Sequence, residues 1–392
     1  MSMSINQHFS PCRLLQFALP SIIMMMFMSL YTIVDGIFIS RFIGSNALSS
    51  LNIVFPVICI VTAIGTMLAT GGNAIISKYL GEGKRRKAQE CLTMFVVIGV
   101  AVSIVVLIFT HLFLTPVCYF LGSNEVLLAD CEKYLATAIS FAPACMLQSL
   151  FQSYLVTAEK PHLGLFLTIG AGILNAFLDY FLIAVCRLGM TGAALATGIG
   201  QTVPALAGLL FFLSNKKGLR LVRFHFHPKE LLMACYNGSS EMVTQLANAI
   251  ITFLFNIVMM ELAGGPGVAA ITILLYGQFL FNAFYLGFTI GISPLIGFQY
   301  GAKNHRELKN IYQIAFVFTA ISSVILTIAA VVSAGPLVQI FTHDPETFAL
   351  ADAGFPLFAV NFLFSGINIA SSAVISFLDK GLIASSYTVL KV

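Results

Sequence analysis

The sequence predicts an all-α polytopic membrane protein, built from two parallel six-helix repeats of which the second is incomplete. Only 9% of its 392 residues are charged, 58% are hydrophobic and the mean hydropathy is +0.94, whereas about a quarter of the residues of a soluble domain are charged. The hydrophobic residues form runs that are long enough for one membrane-spanning helix each. We count eleven spans, at 14–40, 51–77, 92–115, 131–157, 163–186, 190–213, 231–260, 268–297, 310–333, 352–377 and a short last one from 381.

The second half of the sequence repeats the first at a spacing of about 220 residues. Segment 71–90 (GGNAIISKYLGEGKRRKAQE) and segment 291–310 (GISPLIGFQYGAKNHRELKN) each end a span and enter a basic loop, and Pro116 pairs with Pro336 at the same spacing. A repeat with an even number of spans begins and ends on one side of the membrane, so the two repeats are parallel. We therefore expect a first lobe at 1–215, a linker at 216–230 and a second lobe at 231–392.

Span 1 carries a carboxylate at membrane depth. Asp35 has no residue of opposite charge within one helical turn. A charge inside a bilayer costs at least ~2.5–3.5 kcal/mol on insertion scales, which favours a functional role for it. Pro20, fifteen residues earlier, removes one helix hydrogen bond and gives the span a place to bend. The alternative is that Asp35 only hydrogen-bonds to neighbouring helices as part of their packing.

Spans 5 and 6 bring further polar residues to the depth of Asp35. Asp35 and Asp179 stand six and eight residues before an arginine at the outer end of their spans, which places both carboxylates about 9–12 Å below the outer surface. Two carboxylates in one low-dielectric pocket cannot both ionise freely, so the pair can hold a proton and release it when water enters or a cation arrives. The alternative is a polar network that only fastens three helices. The other members of the predicted cluster are Tyr31, Asn175 and Thr197.

The loops differ in charge between the two sides of the membrane. Sixteen Lys and Arg residues flank the spans on one side, and three, Arg41, Lys133 and Arg187, flank them on the other. Because cytoplasmic loops are enriched in Lys and Arg, the N-terminus and the linker are predicted to be cytoplasmic. His225 and His227 in the linker are expected to be solvated loop residues rather than metal ligands.

The repeat also predicts helices beyond the last residue of the sequence. Val392 corresponds to Gly172 of the first repeat, which continues to about Leu213. About forty further residues would complete the eleventh span and supply a twelfth. We therefore expect a twelve-span architecture, of which this sequence holds about eleven spans.

Several of these segments resemble those of the multidrug and toxic compound extrusion (MATE) transporters, most closely the bacterial MepA-like and DinF-like branch. The resemblance covers the whole sequence and rests on VDGIFISRFIG, ILNAFLDYFLI and TGAALATGIGQ in spans 1, 5 and 6, with GSSEMVTQL and GISPLIGFQYGAKN in spans 7 and 8. It implies that Pro20 is the bending proline of that family. It also implies that the family's proton-linked cluster consists of Tyr31, Asp35, Asn175, Asp179 and Thr197.

The second lobe departs from one pattern of the resembled family. NorM-like members have a Glu in span 7 and an Asp in span 10, whereas segment 355–378 of span 10 here (FPLFAVNFLFSGINIASSAVISFL) offers Asn361 and Asn368 and no acid. Glu241 stands in span 7, where we expect it to be buried near mid-membrane and to bind a cation or a cationic substrate; helix packing is the alternative. Asn256, the repeat partner of Asp35, is neutral, so the first lobe alone holds paired acids.

The resemblance implies secondary active transport without a cofactor or a bound metal. We expect a monomeric antiporter of the bacterial plasma membrane, surrounded by lipids, that exports organic cations or amphiphiles in exchange for protons or sodium and binds no nucleic acid. A flippase for lipid-linked precursors is the alternative, although no Arg or Lys stands clearly inside a span to bind lipid phosphates. An intramembrane enzyme would need a nucleophile and base at one depth, and His111 has no such partner.

Overall fold

A computed structural model describes residues 8–43, 45–123, 125–216, 218–342 and 344–377 of the chain. Over these ranges the secondary structure is helical and contains no strand. The helices are α1 (Pro11–Phe42), α2 (Ser45–Gly81), α3 (Arg85–Leu112), α4 (Leu114–Phe120), α5 (Glu125–Ser140), α6 (Ala142–Thr157), α7 (Pro161–Asp179) with a π-helical continuation (Tyr180–Val185), α8 (Gly189–Ser214), α9 (Pro228–Gly301), α10 (His305–Val332), α11 (Ala334–Phe341) and α12 (Pro345–Phe377).

Nine helices or helix arms within the described ranges are long and apolar enough to cross a bilayer, and the bent pair α5 and α6 adds a tenth span. Spans 7 and 8 are the two arms of α9, which are separated at Gly264 by a φ of 59° and a ψ of −146° that glycine adopts readily. The predicted fold class, an all-α protein with many spans, is confirmed. The short last span predicted from residue 381 lies outside the described residues.

Span 4 is bent, although the sequence predicted one helix over 131–157. α5 and α6 meet at Phe141 with an angle of 51° between them. Pro143 lies in the first turn of α6. Inside one continuous helix, a proline at this position would lack the N–H for a backbone hydrogen bond, and its ring would clash with a carbonyl of the preceding turn. The proline therefore starts a new helix rather than continuing the old one.

The helix boundaries repeat with the spacing found in the sequence. α3 and α10 begin at Arg85 and His305, and α2 and α9 end at Gly81 and Gly301, a separation of 220 residues in both cases. The short helices α4 and α11, which the sequence analysis did not predict, also begin 220 residues apart. The two halves of the chain, taken as residues 11–214 and 228–377, therefore share one helix pattern.

The two ends of the helix bundle differ in charge. We call the end at which α1 and α9 begin the basic face, since both halves expose cations there, among them Arg13, Lys84, Arg85, Lys229, Lys303 and Arg306. The opposite end, the acidic face, exposes Glu125, Asp344 and Glu346. Asp344 caps α12 there: the hydroxyl and the backbone N–H of Thr347 donate to Oδ2 of Asp344 at 2.6 and 2.9 Å. These hydrogen bonds hold the pKa of the Asp344 carboxyl below its usual range.

Backbone approaches through glycine join the two halves near the basic face. An ideal Cβ on Gly71 of α2 would lie 1.8 Å from the carbonyl oxygen of Ala234 on α9, and one on Gly301 would lie 2.0 Å from that of Lys78. Both distances are far below any tolerable contact, so only a residue without a side chain fits at either point. Hydrophobic residues of both halves also pack together in one core, among them Phe17 and Ile292.

Candidate functional site

The residues predicted for the first lobe come together between α1, α7 and α8. Asp179, the last residue of α7, is fully buried, and Asn175, one turn earlier, is 3% exposed. Packing between the helices confirms their proximity: Gly172 of α7 lies against the Tyr31 ring of α1, and Gly200 of α8 lies against Asn175. The remaining members, Asp35 and Thr197, are half-buried on α1 and α8.

The carboxylates of Asp35 and Asp179 face each other within hydrogen-bonding range. Oδ1 of Asp35 and both oxygens of Asp179 are shielded from solvent and have no donor among the described protein groups. Two ionised carboxylates are acceptors only, so their contact is favourable only when a proton or a cation lies between them. The side-chain nitrogen of Asn175 and the hydroxyl of Thr197 are also buried without a described partner.

Span 4 contributes polar groups that the sequence analysis missed. Tyr134 of α5 is 5% exposed and lies close enough to both carboxylates to interact with their charges. Gln148 of α6 lies within hydrogen-bonding range of the Tyr31 hydroxyl. One turn later, the Gln152 amide lies 3.3 Å from the Thr168 hydroxyl of α7. The signal was the repeated Gln-Ser pair in QSLFQS, which places both glutamines on one face of a helix.

A cavity of about 40 Å³ lies between α2, α5, α6 and α8, and Tyr134 and Thr197 are among its lining residues. A water molecule needs roughly 10–15 Å³ of such space and several polar partners, so the cavity has room for about three. Its polar lining comes from Tyr134, Cys145, Thr197 and Gln201. The site therefore combines paired acids with a nearby space for a few water molecules, which Tyr134 and Thr197 line.

Asp179 is followed directly by the π-helical segment Tyr180–Val185. The wider turn shifts the direction of the following side chains, and such segments occur often at functional sites. The span ends at Arg187, which has a positive φ of 54°. This change was not predicted, because the hydrophobic pattern of span 5 continues through it.

The second half does not form a counterpart of the paired acids among its described residues. Glu241 is half-buried rather than enclosed as expected, and no residue of 241–264 is buried. Oδ1 of Asn256 has no described partner. Asn361 is exposed and accepts a hydrogen bond from Ser365 at 3.2 Å, and Asn368 is half-buried.

The structure also describes Pro20, the linker histidines and the groups available for metal binding. Pro20 is buried inside α1, which runs through it from Pro11 to Phe42, and bending at this proline stays a prediction. Within the described ranges, no group of three His, Cys, Asp or Glu side chains could hold a metal ion. The linker residue His225 is exposed as expected, whereas His227 is half-buried and contacts Glu90 at 3.2 Å.

Comparisons with known proteins identify the family and the fold. The MatE family model matches residues 20–181 and 242–390. The multidrug export protein MepA of Staphylococcus aureus (strain MSSA476) is 23% identical over 393 residues, covering 96% of this chain and 84% of the relative. MepA of Staphylococcus saprophyticus is 21% identical over 378 residues, covering 94% and 82%. A solved structure of an outward-facing multidrug resistance MATE family transporter matches with a TM-score of 0.90 at 19% identity, covering 98% of this chain and 86% of that one.

Proposed function

The chain belongs to the MatE family, and on this basis we propose that it is a multidrug efflux antiporter of the bacterial plasma membrane. Its substrates are small organic cations and amphiphiles, which leave the cell in exchange for protons, with sodium as the alternative coupling ion. The protein acts as a monomer. The relatives named above support the transport class, and the coupling rests on the chain's own residues.

The contact between Asp35 and Asp179 is the observation that carries this proposal. A proton shared by the two carboxylates stabilises the packing of α1 against the end of α7. When that proton leaves, two negative charges face each other in a medium of low dielectric constant and repel strongly. Loading and unloading one proton therefore changes the preferred position of α1, and the water-sized cavity beside Tyr134 and Thr197 supplies a path for the exchange.

The orientation of the protein in the membrane follows from the charge of the two faces. Because Lys and Arg favour the cytoplasmic side, the basic face is assigned to the cytoplasm and the acidic face to the outside. The segments 1–215 and 231–392 then act as two lobes joined by the linker 216–230, with the substrate cleft between them. The close backbone approaches at Gly71 and Gly301 lie on the cytoplasmic side of that cleft.

Transport of a cationic dye into inside-out vesicles tests the proposed function and its coupling ion. With the protein present, we expect an imposed proton gradient (acidic inside) to drive dye accumulation, because the paired carboxylates exchange protons. A sodium gradient without a pH difference should drive little. Accumulation driven by sodium alone would reassign the coupling ion, and no accumulation under either gradient would reject the antiporter proposal.

Glu241 is proposed to bind the cationic substrate rather than the coupling proton. We expect Glu241→Gln to change the relative export rates of a panel of dyes of different charge, with proton-driven export of some dyes retained. Glu261→Gln is the matched control, because it makes the same change at an exposed position of the same helix arm. Equal loss of export for every dye in the Glu241 variant would contradict a role in substrate selection.

A further inference from the structure

Both halves of the protein begin with the same four-residue pattern on the basic face. Residues 8–11 read HFSP and residues 225–228 read HFHP, and the prolines are the first residues of α1 and α9. In each case the residues around the pattern contact a helix that belongs to the other half. The start of α9 contacts α2 and α3, and the segment before α1 contacts α10.

Glu230, in the first turn of α9, is the centre of the first contact. Its Oε1 atom lies 2.6 Å from Nζ of Lys87 on α3 and accepts a hydrogen bond of 3.1 Å from the Tyr79 hydroxyl on α2. The Lys87 ammonium also lies 4.6 Å from the centre of the Tyr79 ring, a favourable cation–π distance. One acid of the second half is thus bound by two residues of the first.

A second pair supports the first contact. Nε2 of His227 lies 3.2 Å from Oε2 of Glu90, one turn after Lys87 on α3. The other oxygen of Glu90 accepts a hydrogen bond of 2.9 Å from Nε of Arg86. The residue immediately before α9 is therefore also held on α3.

The reciprocal contact holds the segment before α1. Oε1 of Glu307 on α10 accepts a hydrogen bond of 2.9 Å from the backbone N–H of Phe9, and Oε2 lies 2.7 Å from Nδ1 of His8. The Asn310 amide donates to the Phe9 carbonyl at 2.8 Å, and the Phe9 side chain is fully buried. Its counterpart in the second pattern, Phe226, is 61% exposed. The two contacts therefore share their position in the repeat but not their composition.

The contact at Glu230 continues the interface formed by the glycines. Glu230, Ala234 and Gly238 are spaced by four residues and so lie on one side of α9. Ala234 and Gly238 make the close approach to α2 at Gly71, and Glu230 extends it to the surface. Parting α9 from α2 on this side must separate Glu230 from both Tyr79 and Lys87.

We propose that Lys87, Glu230 and Tyr79 are positioning residues that hold the cleft shut on the basic face, and that they separate whenever the cleft opens there. This inference rests on the proposed transport function, which requires the cleft to open on alternate sides. The glycine approaches give close packing but no specific attraction, whereas the ion pair supplies one. The side chain of Lys87 is 37% exposed and that of Glu230 11%, so both charges can regain water when they part and the closure is reversible.

Charge reversal with hydrogen–deuterium exchange tests the inference without relying on transport. In the purified full chain, we expect Lys87→Glu and Glu230→Lys each to speed amide exchange about threefold to tenfold in peptides covering 78–90 and 228–240. The double exchange Lys87→Glu with Glu230→Lys should return both peptides to the original rates. Glu230→Gln introduces no repulsion and should increase the exchange rates less. It replaces the charge-reversal variants in the test if these do not fold.

Arg85→Glu is the matched control, because Arg85 is exposed in the first turn of α3, two residues before Lys87, and forms no ion pair with a described residue. It makes the same charge reversal on the same face and should leave the exchange rates unchanged. Unchanged exchange in both single reversals and in Glu230→Gln would overturn the inference, as would a double variant that remains as fast as the single ones. Dye transport by the unmodified protein is measured separately: its absence would reject the proposed function, while the exchange pattern reports on the closure itself.

Discussion

Replacing Asp179 by Asn is expected to reduce proton-driven dye export to the level of membranes that lack the protein. Asn cannot bind and release a proton in the range that Asp uses, so the contact with Asp35 no longer depends on the proton gradient. The amide of Asn donates a hydrogen bond to Asp35, so the packing of α1 against α7 should be kept. Dye accumulation in inside-out vesicles measures the loss of export. The melting temperature of the purified variant measures the packing, and we expect it to equal or exceed that of the original protein.

Asp35→Asn should have the same effect, since both carboxylates are required to share the proton. Asp130→Asn is the matched control, because it makes the same change outside the cluster, near the acidic face, and should leave export intact. Export at the original rate in the Asp179 variant would contradict the coupling role of the pair. Loss of export together with a large fall in melting temperature would instead indicate that the carboxylates serve helix packing.

Replacing Gly71 by Ala is expected to destabilise the closed basic face and to reduce export strongly. The added methyl group would meet the Ala234 carbonyl oxygen at 1.8 Å, so α2 and α9 must move apart by more than 1 Å. Overpacking of this kind typically costs ~1–3 kcal/mol. A lower melting temperature and faster amide exchange at 67–81 and 230–240 would report the separation, and dye export would report its consequence.

Gly170→Ala provides the control for this substitution. Gly170 is also helical, and a Cβ built on it meets no atom within 4 Å. It should therefore show neither a loss of stability nor a loss of export, and the better helix propensity of Ala favours it slightly. A Gly71 variant with the melting temperature and export of the original protein would mean that the two helices are not held together at this point.

The sequence predicted the parts of the fold that depend on residues close together in the chain. The ten described spans follow from hydrophobic length, and the 220-residue spacing reappears in the starts of α3 and α10. The pairing of Asp35 with Asp179 was predictable because acids are rare inside spans, and two at one depth are easily recognised. The depth argument needed only the rise of a helix and the position of the loops.

Features that depend on helix contacts were not predictable in the same way. Tyr134 is one neutral residue among many in span 4, and nothing in its local pattern shows that it lies near Asp35 and Asp179. The QSLFQS pattern places Gln148 and Gln152 on one helix face, but it does not show that this face meets Tyr31. The bend at Phe141 depended on whether Pro143 would kink the span or start a new helix, which packing decides. The half-buried state of Glu241 goes with the absence of buried residues over 241–264, which depends on the packing of neighbouring helices.

The hydrogen bonds between residues 8–9 and Glu307 affect how the protein is made. Phe9 and its acceptor are 298 residues apart in the chain, and chains are synthesised at about 5–20 residues per second. The segment before α1 therefore leaves the ribosome roughly 15–60 s before α10 is available to bind it. During that interval the apolar side chain of Phe9 cannot reach its buried position, because α10 has not yet been made. We expect lipid, the insertion machinery or a chaperone to cover it until then. Assembly of the first half in the membrane is thus completed only when the second half has been inserted.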